Sequence, residues 1–115
     1  MSESILSISV DSHKRVDVIT ANGRVDSSSA HLLDDALKAS IGEGHSNLIL
    51  DLSAVSYLSS AGLRAMVSAL RECKKRGGQI AVAAPSQRVV EVLDLAGLTP
   101  LFATYDDLTT AVGSF

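Results

Sequence analysis

Residues Asp51–Arg64 read D-L-S-A-V-S-Y-L-S-S-A-G-L-R. Leu48, Ile49 and Leu50 lead into this stretch as a nearly continuous apolar run, the pattern of a strand covered on both faces. Leu63, Met66, Val67, Leu70 and Cys73 lead out of it at helical spacing and predict a helix over about Ser60–Arg76. Ser59 and Ser60 sit at the joint, with Ala61 and Gly62 behind them. A helix begins with a row of backbone N–H groups that lack intrahelical acceptors, so a serine here stands where a phosphate or another anion is well received. The ordinary reading is that Ser59 or Ser60 simply caps the helix. Two features point further. The joint lies at the carboxyl end of a central strand, where open α/β sheets place their sites. Gly62 is a poor helix former in the first turn, which leaves room for a close neighbour.

Upstream, Leu6, Ile8 and Val10 alternate with serines as in a half-buried strand. Asp11–Lys14 reads as a turn, and Val16, Val18 and Thr20 as a second strand close enough to form a hairpin. Asn22-Gly23 is a turn signal that ends or bends that strand. From Ala30 the period changes: Ala30, Leu33, Leu37 and Ile41 mark one helix face. Asp26 and Ser27–Ser29 are natural caps, and Gly42 and Gly44 stop the helix.

Downstream, Gly77-Gly78 closes the second helix and Ile80–Ala84 is a short apolar strand. Pro85-Ser86 opens a third helix with Val89, Val92, Leu93 and Ala96 inward, ended by Gly97. Leu101–Ala103 reads as a last short strand, and Thr104 with Asp107 as a capping box for a final helix. The order β-β-α-β-α-β-α-β-α predicts one α/β domain over 1–115, with a mixed sheet of roughly four to five strands and about four helices.

Composition narrows the function. The chain has 115 residues, 46% of them apolar, enough for a core without disulfides or metal. It has no Trp and only two Phe and two Tyr, so the core is aliphatic and few rings are available for stacking bases. A net charge of −3 also argues against nucleic acid. The basic cluster Arg71, Lys74, Lys75 and Arg76 falls at a helix end, where cations complement the macrodipole. The single cysteine, Cys73, lies on the inward stripe and reads as a core residue. The start M-S-E-S-I-L-S-I-S-V is acidic and alternating, unlike a leader, and no apolar run approaches the ~20 residues that cross a bilayer. The expected setting is the cytoplasm, and nothing in the sequence demands more than a monomer.

Catalysis finds little support. A hydrolase elbow needs G-x-S-x-G, and Leu58 occupies the place of the first glycine. His13, His31 and His45 fall in polar or loop contexts, read as solvated, and none is tied to Ser60 by the sequence. Neither metal-ligand spacing nor a Gly-rich phosphate loop is present. No catalytic residue, metal or cofactor is therefore expected, and a small α/β enzyme using Ser60 is the weakest reading.

Three segments together resemble the STAS-domain anti-sigma factor antagonists: G-R-V-D-S-S-S-A (Gly23–Ala30), L-I-L-D-L-S-A-V-S-Y-L-S-S-A-G-L (Leu48–Leu63) and V-L-D-L-A-G-L (Val92–Leu98). The resemblance implies a partner switch and no enzyme. An unphosphorylated antagonist binds an anti-sigma factor that is also a serine kinase. Phosphorylation of a loop serine releases it, and a metal-dependent serine phosphatase resets the loop. Position by position, the phosphorylated serine falls on Ser60, and Asp26 falls on the family's loop aspartate. Gly62 and Leu63 match directly. Ser59 stands where many members have aspartate and is the alternative acceptor. The implied partner-binding surface comprises Asp26, Ser27, Ser59, Ser60, Ala61, Gly62, Leu63 and Arg64. A STAS subunit that regulates a membrane transporter ATPase, with no kinase, is the rival within the same fold.

Overall fold

A computed structural model describes residues 6–115. Met1–Ile5, part of the opening read above as unlike a leader, lies outside the described residues. The elements are β1 (Leu6–Ser12), β2 (Asp17–Val25), α1 (Ala30–Gly42), β3 (Asn47–Leu58), α2 (Ser60–Lys75), β4 (Gln79–Ala83), α3 (Gln87–Leu95), β5 (Ala103–Tyr105) and α4 (Leu108–Gly113), with a single 3₁₀ turn at Thr99–Leu101. The sheet runs β1-β2-β3-β4-β5 in space. β1 and β2 form an antiparallel hairpin, and the remaining pairs are parallel. Each parallel neighbour is reached through a helix, as a crossover requires.

Alternation in β3 explains the layering. Leu48, Leu50 and Leu52 point into one core with Leu33 and Leu37 of α1, Met66 and Leu70 of α2, and Val89 and Leu93 of α3. Ile49 points the other way, into a smaller core with Val16, Val18, Ala81, Ala83 and Ala111 of α4. The apolar run Leu48–Leu50 is therefore covered on both faces, as its composition requires. Beyond it in β3 come Asp51, half-buried, and Ser53, exposed.

β3 is far longer than its apolar run. Thr20 pairs with Asp51 but Asn22 with Ala54, and Gly23 pairs with Val55 but Arg24 with Tyr57. At each shift β3 carries one residue more than β2, so its inward side chains Leu52, Val55 and Leu58 step by three. Asn22-Gly23 bends β2 and does not end it; Gly23 sits at φ 119, a conformation that favours glycine.

Several local expectations are corrected. β1 continues through Asp11 and Ser12, so the first turn is His13–Arg15, closed by the His13 N–H donating to the Val16 carbonyl. The last strand is Ala103–Tyr105, because Pro100 initiates a 3₁₀ turn over Thr99–Leu101. Thr104 lies within that strand, and α4 is capped by Asp107, whose carboxylate accepts from the Thr110 N–H at 2.7 Å. Ala96 is exposed, since α3 ends at Leu95. Cys73 is buried, and burial pushes its thiol up to about 11, in line with a core residue. Among the described residues no helix is long and apolar enough to cross a membrane.

Candidate functional site

β2 and β3 end side by side. Val25 pairs with Leu58, and the next amide, Ser59 N–H, donates to the Val25 carbonyl at 2.8 Å. This bond fixes Ser59 in an extended conformation as the N-cap of α2. Its Oγ accepts from the Gly62 N–H at 3.2 Å, and its carbonyl accepts from the Leu63 N–H at 3.0 Å. Capping thus falls to Ser59. Ser60 is the first helical residue and is exposed. The Ser60 and Ala61 amides remain as the helix's orphan donors beside it.

Gly62 is buried because two side chains press on it. A Cβ there would lie 2.7 Å from Val25 Cγ1 and 2.8 Å from Leu58 Cδ1. The close neighbour expected at this glycine is therefore the end of the β2–β3 pair, which seats the first turn of α2 against the sheet. Leu63 is half-buried against the main core, and Arg64 is exposed.

Asp26 follows Val25 directly. Its Oδ1 accepts from the Ser28 hydroxyl at 2.8 Å, the Ser28 N–H at 3.0 Å and the Ser29 N–H at 2.9 Å. The Ser28 hydroxyl first, and the other donors with it, hold its carboxyl below the usual carboxylate range. Its carbonyl accepts from the Ala30 N–H at 2.9 Å, so Asp26 caps the whole entry into α1. Ser29 is buried; its Oγ accepts from the Asp26 N–H and donates to the Arg24 carbonyl at 2.7 Å. Ser27 is exposed beside them.

Two features at this end were not read from the sequence. The Arg24 guanidinium lies 4.7 Å from the centroid of the Tyr57 ring, its register partner on β3. A groove also runs between α1 and α2, lined by Ser27, Ala30, His31, Asp34, Lys38, Ala61, Arg64, Ala65 and Ser68. Within it Lys38 Nζ is 2.8 Å from Asp34 Oδ2. The i,i+4 spacing of Asp34 and Lys38 was a legible signal for that pair.

The opposite end of the sheet holds a different polar pair. His45 Nδ1 lies 2.7 Å from Oδ2 of Asp17, which is buried. Burial opposes the charge on Asp17, but hydrogen bonds with His45, Ser40 and Ser12 outweigh it and keep the carboxyl below its usual range. The same contact raises the His45 pKa above its ordinary value. His45 is thus an exposed loop histidine, as read, that is also paired with buried Asp17; sequence distance hid the pair.

A mixed sheet with three helices on one face, and an exposed serine starting the helix that follows its central strand, defines a small α/β domain. The chain belongs to the STAS-domain family, whose model matches residues 7–111. It is 32% identical over 95 residues to the anti-sigma-B factor antagonist of Bacillus subtilis, spanning 81% of this chain and 86% of that protein. It superposes on the crystal structure of an anti-sigma factor antagonist from Mycobacterium paratuberculosis with a TM-score of 0.85 and 28% identity, covering 95% of this chain and 92% of the other. It also shares its fold with the antagonist SpoIIAA of Bacillus. The unphosphorylated form gives a TM-score of 0.75 at 21% identity, over 85% of this chain and 87% of the other. The phosphorylated form gives 0.69 at 19%, over 85% and 90%.

Proposed function

We propose that this chain is an anti-sigma factor antagonist, a cytoplasmic binding switch and not an enzyme, controlled by phosphorylation of Ser60. Unmodified, the α2 start and the neighbouring Asp26–Ser27 turn dock on an anti-sigma factor that is a serine kinase, and so free its sigma factor. The kinase then transfers the γ-phosphoryl group of ATP to Ser60 Oγ. The Oγ–P bond forms as the bond to ADP breaks, and the hydroxyl proton leaves to a base of the kinase. A serine phosphatase returns the hydroxyl by hydrolysis, releasing inorganic phosphate.

The observation that carries this reading is the division of labour at the helix start. Ser59 supplies the cap, so Ser60 is exposed at the first helical position with no structural task in the cap. A phosphate there adds about −1.5 to −2 charge. The α2 N-terminus tolerates that charge, so the domain keeps its fold. A partner surface shaped for a neutral hydroxyl does not tolerate it. A loss of about 3 kcal/mol at such a contact weakens binding roughly a hundredfold.

The test is incubation with the candidate kinase and ATP, followed by mass spectrometry and binding titration. Phosphate is expected on Ser60. Ser60→Ala is expected to bind and take none, and Ser60→Asp to bind weakly with its melting temperature little changed. Full phosphate uptake by Ser60→Ala would remove Ser60 from the role and pass it to Ser59. The absence of binding to any serine-kinase partner would sink the switch.

A further inference from the structure

Arg64 stands four residues after Ser60 on the uninterrupted helix α2. Residues at this spacing share a helix face with Cβ atoms roughly 5–6 Å apart, and an anion N-terminal to a cation is the favourable order. Both residues are exposed. The ion pairs among the described residues are Lys38–Asp34, His45–Asp17 and Arg76–Glu72, so Arg64 has no carboxylate committed to it there.

We propose that Arg64 receives the phosphate on Ser60, and that this i,i+4 pair withdraws the guanidinium from the α1–α2 groove when the serine is modified. The proposal rests on Ser60 being the modified residue. The other charges at this end of the sheet fit the role less well. Lys38 is held by Asp34 at 2.8 Å, and the Arg24 guanidinium lies over the Tyr57 ring. His31 is a weaker cation near neutral pH. Asp26 is itself an anion, held so by Ser28 and Ser29, and repels a phosphate. The planar fork of arginine, in contrast, matches two phosphate oxygens at once.

The switch then has two parts. The new charge repels an acidic partner group, and the same event removes the arginine that such a group meets in the unmodified state. A partner segment bearing a carboxylate opposite Arg64 therefore loses an attraction as well as gaining a repulsion, although no backbone atom need move.

The test installs phosphoserine at position 60 during translation and titrates its phosphorus resonance in wild type, Arg64→Lys and Arg64→Gln. The second phosphate pKa is expected to be lower in wild type than in Arg64→Gln by roughly 0.3 pH units or more. Arg64→Lys should fall between them, since it keeps the charge and loses the fork. Coincident midpoints in wild type and Arg64→Gln, with unchanged helix content by circular dichroism, overturn the proposal. Because the phosphate is placed without a kinase, this outcome is independent of whether a kinase ever modifies Ser60, which the mass-spectrometric test reads separately.

Discussion

The Ser59 amide donates to the Val25 carbonyl at 2.8 Å, so the bond that closes the β2–β3 pair also sets where α2 begins. Strand pairing and helix start are one event here. The cap follows from it, because Ser59 held extended aims its Oγ at the Gly62 amide. Ser59→Ala should therefore destabilise the domain by about 1 kcal/mol, and Ser59→Asp should retain the cap and much of that stability. Urea denaturation of the two variants checks this. Equal losses would mean that Ser59 acts through something other than capping.

Gly62→Ala sets two effects against each other. Alanine gains up to about 1 kcal/mol of helix propensity. Its Cβ would, however, meet Val25 Cγ1 and Leu58 Cδ1 inside 3 Å. Overpacking against a stiff β-branched side chain typically costs 1–3 kcal/mol, so the expected net result is destabilisation by about 1 kcal/mol. A raised denaturation midpoint would show that the seat is looser than this contact implies.

Ser29 is buried and donates to the Arg24 carbonyl while accepting from the Asp26 amide. Ser29→Ala strands both backbone groups and should cost about 1–2 kcal/mol. Asp26→Ala removes the acceptor for Ser28 and Ser29 and should lower the melting temperature in the same direction. Thermal denaturation of both variants is the measurement, with amide exchange in the first turn of α1 expected to rise first.

The Asp17–His45 contact makes stability depend on pH with two limbs of known sign. His45 has its pKa raised above the ordinary 6.5 in the folded state. Its contribution is complete below that value and is lost as pH rises through the folded pKa. Asp17 has its pKa lowered below 3.8, so its contribution is complete above that value and is lost as pH falls through the folded pKa. Ser12, Ser40 and Glu43 also face this pair. The pair's contribution should be greatest between those two ordinary values and decline on the alkaline side. His45→Gln should flatten that alkaline decline, as read from urea midpoints across the pH range.

The sequence was most legible where one period held. Leu63, Met66 and Leu70 keep helical spacing along α2, and Leu48–Leu50 is apolar because both faces are covered, so both elements could be read directly. The second half of β3 could not. Its inward residues Leu52, Val55 and Leu58 step by three, which is neither the period of a strand nor that of a helix, because two extra residues interrupt the pairing. The 3₁₀ turn at Thr99–Leu101 displaced the last strand for a similar local reason. At the site, Ser59, Ser60 and Gly62 were visible as a strand-to-helix joint. Choosing between the two serines as the cap required the Val25–Ser59 bond, which joins residues far apart in the chain. The α1–α2 groove and the Asp17–His45 pair likewise exist only after folding brings distant segments together.

The two surplus residues of β3 fix more than the local bend. They set the phase in which the chain leaves the sheet, with Leu58 turned inward and Ser59 ready to turn the corner. Removing one residue between Ser53 and Tyr57 would reverse that phase, carry a hydroxyl toward the core and push a leucine into solvent. This short span should therefore resist any change in length, although Val55 is the one buried side chain within it.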